Sequence, residues 1–210
     1  ESNDIDGQTC SRVVLPGPVT FLEQSMPELP FIARNIIIPN DGQMAYRIVD
    51  IEYETRSVSK VVPSKGNLLR SVDPSTVPYT FDRFYDTDAW WPQQTIELSE
   101  PFILRDYRGV TIRFNPFQYN PARGELKVAR RITVEVYRIA SGGANVLDTQ
   151  SRTLTRDFAN IYESMFLNFR PARYDSLSEH AGRMLIITAD AYVNNMEPFK
   201  EWKRRKGIQT

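Results

Sequence analysis

The chain is poor in the groups that carry chemistry. Its 210 residues hold one cysteine, Cys10, and one histidine, His180. A lone cysteine closes no internal disulfide, and Cys10 stands in a polar stretch where an incidental free thiol is the simplest reading. A Cys10–His180 nucleophile pair would have to join a start-up segment to a linker at the other end of the chain, so thiol catalysis is not expected from these residues. Neither has metal-ligand spacing with other residues, and no metal or other cofactor is expected. No run of eighteen apolar residues exists, so no membrane span is expected. The first residues lack the basic-then-apolar layout of a signal peptide. Glu1 to Gly7 reads like the interior of a protein, a start compatible with earlier removal of a leader, and composition alone leaves the compartment undecided. A surplus of one charge is missing too. Lys plus Arg and Asp plus Glu are each 26, so a nucleic-acid partner is not expected. Ser141-Gly142-Gly143 lacks the strand–loop–helix context of a phosphate loop. The carboxylates Asp86 and Asp88, or Glu97 and Glu100, read as loop solubilisers and caps rather than an acid–base pair.

What is present supports a packed body. Apolar residues make up 41% and aromatics 11%, enough to bury a core rather than remain a disordered tail. Residues 1 to 43 alternate short apolar pieces with prolines, which forbid helix. Phe31 to Ile38 reads as a strand closed by the turn Pro39-Asn40-Asp41-Gly42. Met44 to Thr55 alternates with period two, and Arg47, Val49, Ile51 and Tyr53 form its apolar face. From Pro63 to Pro101, five prolines and several aspartates rule out long elements. This stretch is expected to be an ordered surface loop whose aromatics, Tyr79 to Trp91, pin it to the body or to a partner.

Residues 102 to 138 carry the clearest strand signals. Phe102 to Asp106 leads to a turn at Tyr107-Arg108-Gly109. Val110, Ile112 and Phe114 then alternate, and Asn120 to Gly124 makes a hairpin loop. The returning strand places Leu126, Val128, Ile132, Val134 and Val136 on one face, giving an antiparallel pair with one wet face. Asp157 to Asn168 has helical spacing, with Asp157 as its cap. After Arg173 the pattern changes. Met184 to Ala189 is an unbroken apolar run, expected to be a strand buried on both faces. A helix then follows, capped near Asp190 or Asn194-Asn195, striped by Met196, Phe199 and Trp202 and stopped at Lys206-Gly207. One strand and one helix close no core. The organisation expected is therefore one domain over residues 1–173 and the opening of a second over residues 174–210. The first is mainly β, an antiparallel sandwich or barrel with a short C-terminal helix. The second is the start of an α/β unit.

Ungapped words in the chain carry a more specific signal. They include Pro63-Ser64-Lys65-Gly66, Arg70 with Asp73-Pro74, Val77-Pro78-Tyr79, Ser99 to Asp106 and Arg108-Gly109. Gln118 to Pro121, Tyr162 to Asn168, Arg173-Tyr174, Gly182 to Met184 and Trp202-Lys203 follow in order. Through these words the chain resembles the gingipains, secreted cysteine proteases, and specifically the prodomain of their arginine-specific members. The first forty residues match only weakly, and the first part of the family's prodomain is expected to be missing.

The resemblance implies a β-rich domain that assists folding and keeps a secreted or cell-surface bacterial protease latent, followed by the first strand and helix of a caspase-like catalytic domain. It places a pseudo-substrate at Arg70, with Ser71 and Asp73 beside it, and a processing bond between Arg173 and Tyr174. The partner would be the cognate catalytic domain, joined before cleavage and held non-covalently after it. The family's catalytic cysteine and histidine match neither Cys10 nor His180, so the 210 residues are expected to be inactive by themselves. Without the resemblance, a β-rich binding module presenting loop aromatics to a glycan or protein is the competing reading.

Overall fold

The computed structural model describes residues 1–5, 7–148, 154–170, 177–178 and 183–210. The strands are β1 (Ser2–Ile5), β2 (Gln8–Ser11), β3 (Val19–Thr20), β4 (Pro30–Ile37), β5 (Gln43–Ser57), β6 (Lys60–Val61), β7 (Ile96–Leu98), β8 (Phe102–Leu104), β9 (Tyr107–Phe114), β10 (Phe117–Asn120), β11 (Glu125–Ala140), β12 (Leu154–Thr155) and β13 (Leu177–Ser178). Two helices, α1 (Arg156–Met165) and α2 (Val193–Arg205), complete the elements used below. The chain divides into a larger unit, residues 1–150 with 165–169, and a smaller one, residues 151–164 with 170–210.

The larger unit is built from open sheets, so the expected β-rich class holds and a closed barrel does not. One sheet runs β3-β4-β9-β7 with β8 also on β9; a second runs β10-β11-β5; a third runs β1-β2-β6. The strand expected at Phe31 forms as β4, and Gly42 beyond it adopts φ +116 in the turn. The hairpin loop at Asn120–Gly124 also forms, but it joins β10 to β11. The alternating Val110–Phe114 segment is not the partner of the returning strand, since β9 pairs with β4, β7 and β8 in another sheet. The turn expected at Tyr107-Arg108-Gly109 lies two residues earlier. Arg105 takes φ +49 and Leu104 pairs with Tyr107, so Arg105-Asp106 is a two-residue connection. Positive φ at the tight turn leaves Arg108 and Gly109 inside the strand. A Cβ at Gly109 would meet Phe166 and Phe102 at under 3.0 Å, which explains the bare backbone there.

The main partner of β11 is β5, paired from Glu125↔Ser57 to Ala140↔Gln43, with a bulge at Arg130. β10 reaches only as far as Val128, so the upper part of this sheet is a two-stranded ribbon. That geometry corrects the face expected for β5. Val49 and Tyr53 are exposed and Ile51 is half-buried, because a ribbon covered on one side of its upper part buries few side chains. Cross-strand ion pairs Arg47–Glu135, Arg131–Glu52 and Arg130–Glu54 run along it instead.

The core gathers Leu29, Val61, Tyr85, Tyr119 and Leu126, with the Phe81, Phe84 and Trp91 rings packed against it. The part of the long segment from Pro63 to Trp91 is thus an ordered loop pinned to the body, as its aromatics imply, whereas its end, Ile96–Leu98, is not loop but the strand β7 paired with β9. The Tyr85 hydroxyl donates to the Val61 carbonyl at 2.8 Å, and burial drives its phenol far above the ordinary range. Cys10 is a core residue rather than an incidental thiol. It is fully buried against Ile5 and Val62, and burial raises its pKa, which keeps the sulfur protonated and inert.

In the smaller unit β12 pairs with β13 in parallel. The α1 helix begins at Arg156, and Thr155 Oγ1 accepts from the Phe158 amide at 3.4 Å, so Thr155 rather than Asp157 occupies the cap position. The buried strand expected at Met184–Ala189 does not form. A parallel strand needs hydrogen-bonded neighbours, and among the described residues only the Met184 amide finds one, the Gln209 carbonyl at 2.8 Å. Leu185 and Ile187 are 83% and 88% exposed. The expected helix forms as α2 without a side-chain cap, preceded by a 3-10 turn at Asp190–Tyr192. Its stop is as expected, with the Gly207 and Ile208 amides returning to Arg204 and Lys203.

Candidate functional site

Arg70 lies at the tip of a loop whose two stems are tied to the same short segment, residues 25–28. On the incoming side the Ser64 amide donates to the Met26 carbonyl at 2.8 Å, and Ser64 accepts from the Ser25 amide at 2.9 Å. On the outgoing side the Ser25 and Thr80 hydroxyls are 2.6 Å apart, and the Asp82 amide donates to the Ser25 carbonyl at 3.1 Å. Prolines at positions 63, 74 and 78 restrict φ along both stems. Gly66 turns the chain outward at φ +84, a conformation that costs glycine little.

Above the stems, Lys65 crosses the loop. Its Nζ donates to the Pro74 carbonyl at 2.7 Å and lies 4.2 Å from the centre of the Tyr79 ring. The Tyr79 hydroxyl accepts from Arg12, which is paired with Glu28 at 2.8 Å. Asp73 begins a 3-10 turn over Pro74–Thr76, its carboxylate accepting the Ser75 amide at 2.8 Å. At the tip, the Val72 amide donates to the Leu69 carbonyl at 2.9 Å, which makes residues 69–72 a β-turn with Arg70 and Ser71 at its centre. Leu69 is 74% exposed, and Arg70 and Ser71 are exposed. Among the described residues Arg70 has no hydrogen-bond or carboxylate partner, unlike the paired arginines of β5 and β11.

The structure therefore brings together Arg70, Ser71 and Asp73. Arg70 and Ser71 form the tip, and Asp73, itself exposed, caps the turn that follows. The processing bond Arg173–Tyr174 lies outside the described residues. Lys65 and Tyr79 were not singled out as site residues from sequence. Both lie in words that carry the gingipain resemblance, and Tyr79 was read as a pinning aromatic, but neither signal points to a crossing contact between them. Of the four carboxylates set aside as solubilisers and caps, two are paired: Asp88 with Arg123 and Asn120, and Glu97 with Arg113. Four of the loop aromatics, Phe81, Phe84, Tyr85 and Trp91, pack into or against the core, Phe84 and Tyr85 lying 6.0 Å apart and Phe84 6.3 Å from Trp91, while Trp90 is half-buried beneath Lys127.

The Asp73 carboxylate is held below its ordinary pKa, first by the Ser75 amide and then, more weakly, by the Lys65 charge. A depressed folded-state pKa means that the cap is fully formed above the ordinary aspartate value of about 3.9 and is lost as pH falls through the lower folded value. The Ser75 amide resonance is expected to stay constant from neutral pH downward and to move only below that ordinary value. A midpoint above it in an NMR titration would show that the cap is not made.

The Propeptide_C25 family matches residues 2–166. This chain belongs to that family. As a Propeptide_C25 member it is 33% identical over 193 residues to gingipain R1 of Porphyromonas gingivalis, across 91% of this chain and 19% of that relative. It is 32% identical to gingipain R2, across 91% of this chain and 26% of the relative, and 24% identical to Lys-gingipain, across 96% and 12%. The propeptide thus spans about a fifth of the length of gingipain R1. Its structure is similar to a chain in the complex of the Porphyromonas gingivalis RgpB pro- and mature domains, at a TM-score of 0.72 and 28% identity. That match covers 80% of this chain and 85% of the other. A structure concerned with the zymogenic latency of gingipain K shares the fold at a TM-score of 0.56 and 24% identity, over 69% of this chain and 81% of the other. The Propeptide_C25 chain is a gingipain-type protease prodomain.

Proposed function

We propose that this prodomain keeps an arginine-specific cysteine protease latent by presenting Arg70 as a pseudo-substrate. The observation that carries the reading is an exposed guanidinium, without a partner among the described residues, on a turn whose stems are already fixed. A planar guanidinium enters an acidic pocket and contacts a carboxylate bidentately, and a loop ordered in advance loses little entropy on docking. The partner is the catalytic domain of the same polypeptide, bound in cis before processing and non-covalently after it. Catalysis belongs to that domain, whose first elements correspond to residues 174–210, and the prodomain also assists its folding. Secretion or display at a bacterial surface follows from the same kinship with gingipains.

The direct test adds the purified 210-residue chain to the mature protease and follows hydrolysis of a small arginyl substrate. Inhibition competitive with that substrate is expected. Binding that leaves turnover unchanged would return the chain to the class of accessory modules.

Processing supplies a second prediction. The protease is proposed to cut after Arg173, within a polar segment that follows Pro171. In the full-length polypeptide Arg173→Ala is expected to leave the precursor uncut at this bond. Amino-terminal sequencing that recovers enzyme beginning at Tyr174 from that variant would refute the assignment.

A further inference from the structure

We propose that Lys65 is the latch of the Arg70 loop. It is a positioning residue that holds the tip in its docking shape and keeps the Arg70–Ser71 bond out of reach of proteases. The inference rests on the proposed docking of this loop only for its consequence, since the latch itself is a property of the free prodomain.

Three observations converge on Lys65. Its Nζ spans the loop to the Pro74 carbonyl at 2.7 Å, joining the two sides at the point where the tip begins. Its charge lies over the Tyr79 ring at 4.2 Å, and Tyr79 is fixed from behind by Arg12 and Glu28. The carbonyl it holds belongs to Pro74, which opens the 3-10 turn capped by Asp73, so the contact fixes that whole turn and not a single side chain. Beyond the latch, among the described residues, the tip is secured by the Val72–Leu69 turn bond.

The consequence concerns the bond inside the turn. Proteases bind the residues flanking a scissile bond in extended form, and a bond at the centre of a β-turn is not extended. Arg70–Ser71 becomes a substrate only when the loop opens locally. When opening and closing are fast relative to cleavage, the cutting rate reports the population of the open form. Removing a charge-assisted bond at the loop's neck raises that population. It also raises the ordering cost that docking must meet.

The experiment treats the whole chain with trypsin under native conditions and follows, by mass spectrometry, the appearance of fragments ending at Arg70 and beginning at Ser71. In that cut, water adds across the amide, leaving a new carboxylate on Arg70 and a new amino group on Ser71. Lys65→Met keeps the aliphatic stem but removes the donor. It is expected to accelerate this cut about fivefold or more, while cuts at the β5 and β11 arginines and the thermal midpoint stay unchanged. Lys65→Arg retains a donor and a cation over Tyr79, and is expected to restore most of the protection. An unchanged rate in Lys65→Met, or a Lys65→Arg rate equal to that of Lys65→Met, overturns the latch. Inhibition assays separate this from the pseudo-substrate reading. If Lys65→Met opens the loop but Arg70→Ala still inhibits normally, the latch stands and the inserted arginine falls. If Lys65→Met leaves the cut unchanged while Arg70→Ala abolishes inhibition, the latch falls alone.

Discussion

Replacing Arg70 with alanine is expected to raise the inhibition constant of the prodomain by about two to three orders of magnitude. A fully desolvated, charge-assisted anchor at the centre of an interface contributes about 3–4 kcal/mol, and each 1.4 kcal/mol is tenfold in affinity. Arg70→Lys should fall between the two, because an ammonium keeps the charge but not the bidentate fork. The stability of the free domain should not change, since Arg70 is exposed and has no partner among the described residues. This pairing of results, lost inhibition with an unchanged thermal midpoint, is what a contact made only in the complex requires. An unchanged inhibition constant would mean that another group enters the pocket.

The second large effect belongs to Arg108, which is fully buried. Its guanidinium donates to the Pro39 carbonyl at 3.0 Å, to Gly42 at 2.9 Å and to Ala144 at 2.7 and 3.2 Å. Among the described residues no carboxylate pairs with it. The cation is stabilised by three backbone carbonyls, and through them it joins the β4–β5 turn to the exit of β11. Arg108→Met keeps much of the volume but leaves those carbonyls without donors. A buried polar group stripped of its partner costs about 1–3 kcal/mol, so three together should approach or exceed 3 kcal/mol. For a chain of this size that is about 10 °C in the thermal midpoint. Arg108 borders a cleft of about 590 Å³, and water entering it would reduce the loss. A loss under 1 kcal/mol in chemical denaturation would show that the carbonyls are readily rehydrated. Inhibition measured well below the melting temperature should persist, which separates this variant from Arg70→Ala.

Local signals in the sequence were mostly reliable, although the turn before Arg108 and the cap of α1 lie two residues earlier than they are read. The Pro39–Gly42 turn, the Asn120–Gly124 hairpin loop and the Gly207 stop are set by φ preferences within a few residues, and each lies where it is read. The pairing of β5 with β11 was not legible. It joins strands far apart in the chain, and their alternation alone does not name a partner. Arg108 and Cys10 were missed for another reason. Residue type argues for an exposed arginine and an incidental thiol near the start, whereas their burial is decided by carbonyls and apolar groups supplied from elsewhere in the sequence. The run at Met184–Ala189 shows the opposite failure. Apolarity was read correctly, but a strand also needs neighbours. At the candidate site, Arg70 was reached through the resemblance to gingipain prodomains, since its own charge does not set it apart from the other arginines, while the Lys65 crossing depends on where the loop closes.

The ribbon of β5 and β11 also bears on the order of events during synthesis. Everything between Ser57 and Glu125, the Arg70 loop included, is the interval that this pairing closes. Closing a long interval costs entropy before contacts repay it, so sheets paired at such separation form slowly. The ribbon cannot zip until Glu125–Ala140 has left the ribosome, well after the loop itself has emerged. Completion of the prodomain fold is therefore timed by its last long strand rather than by the loop that carries Arg70.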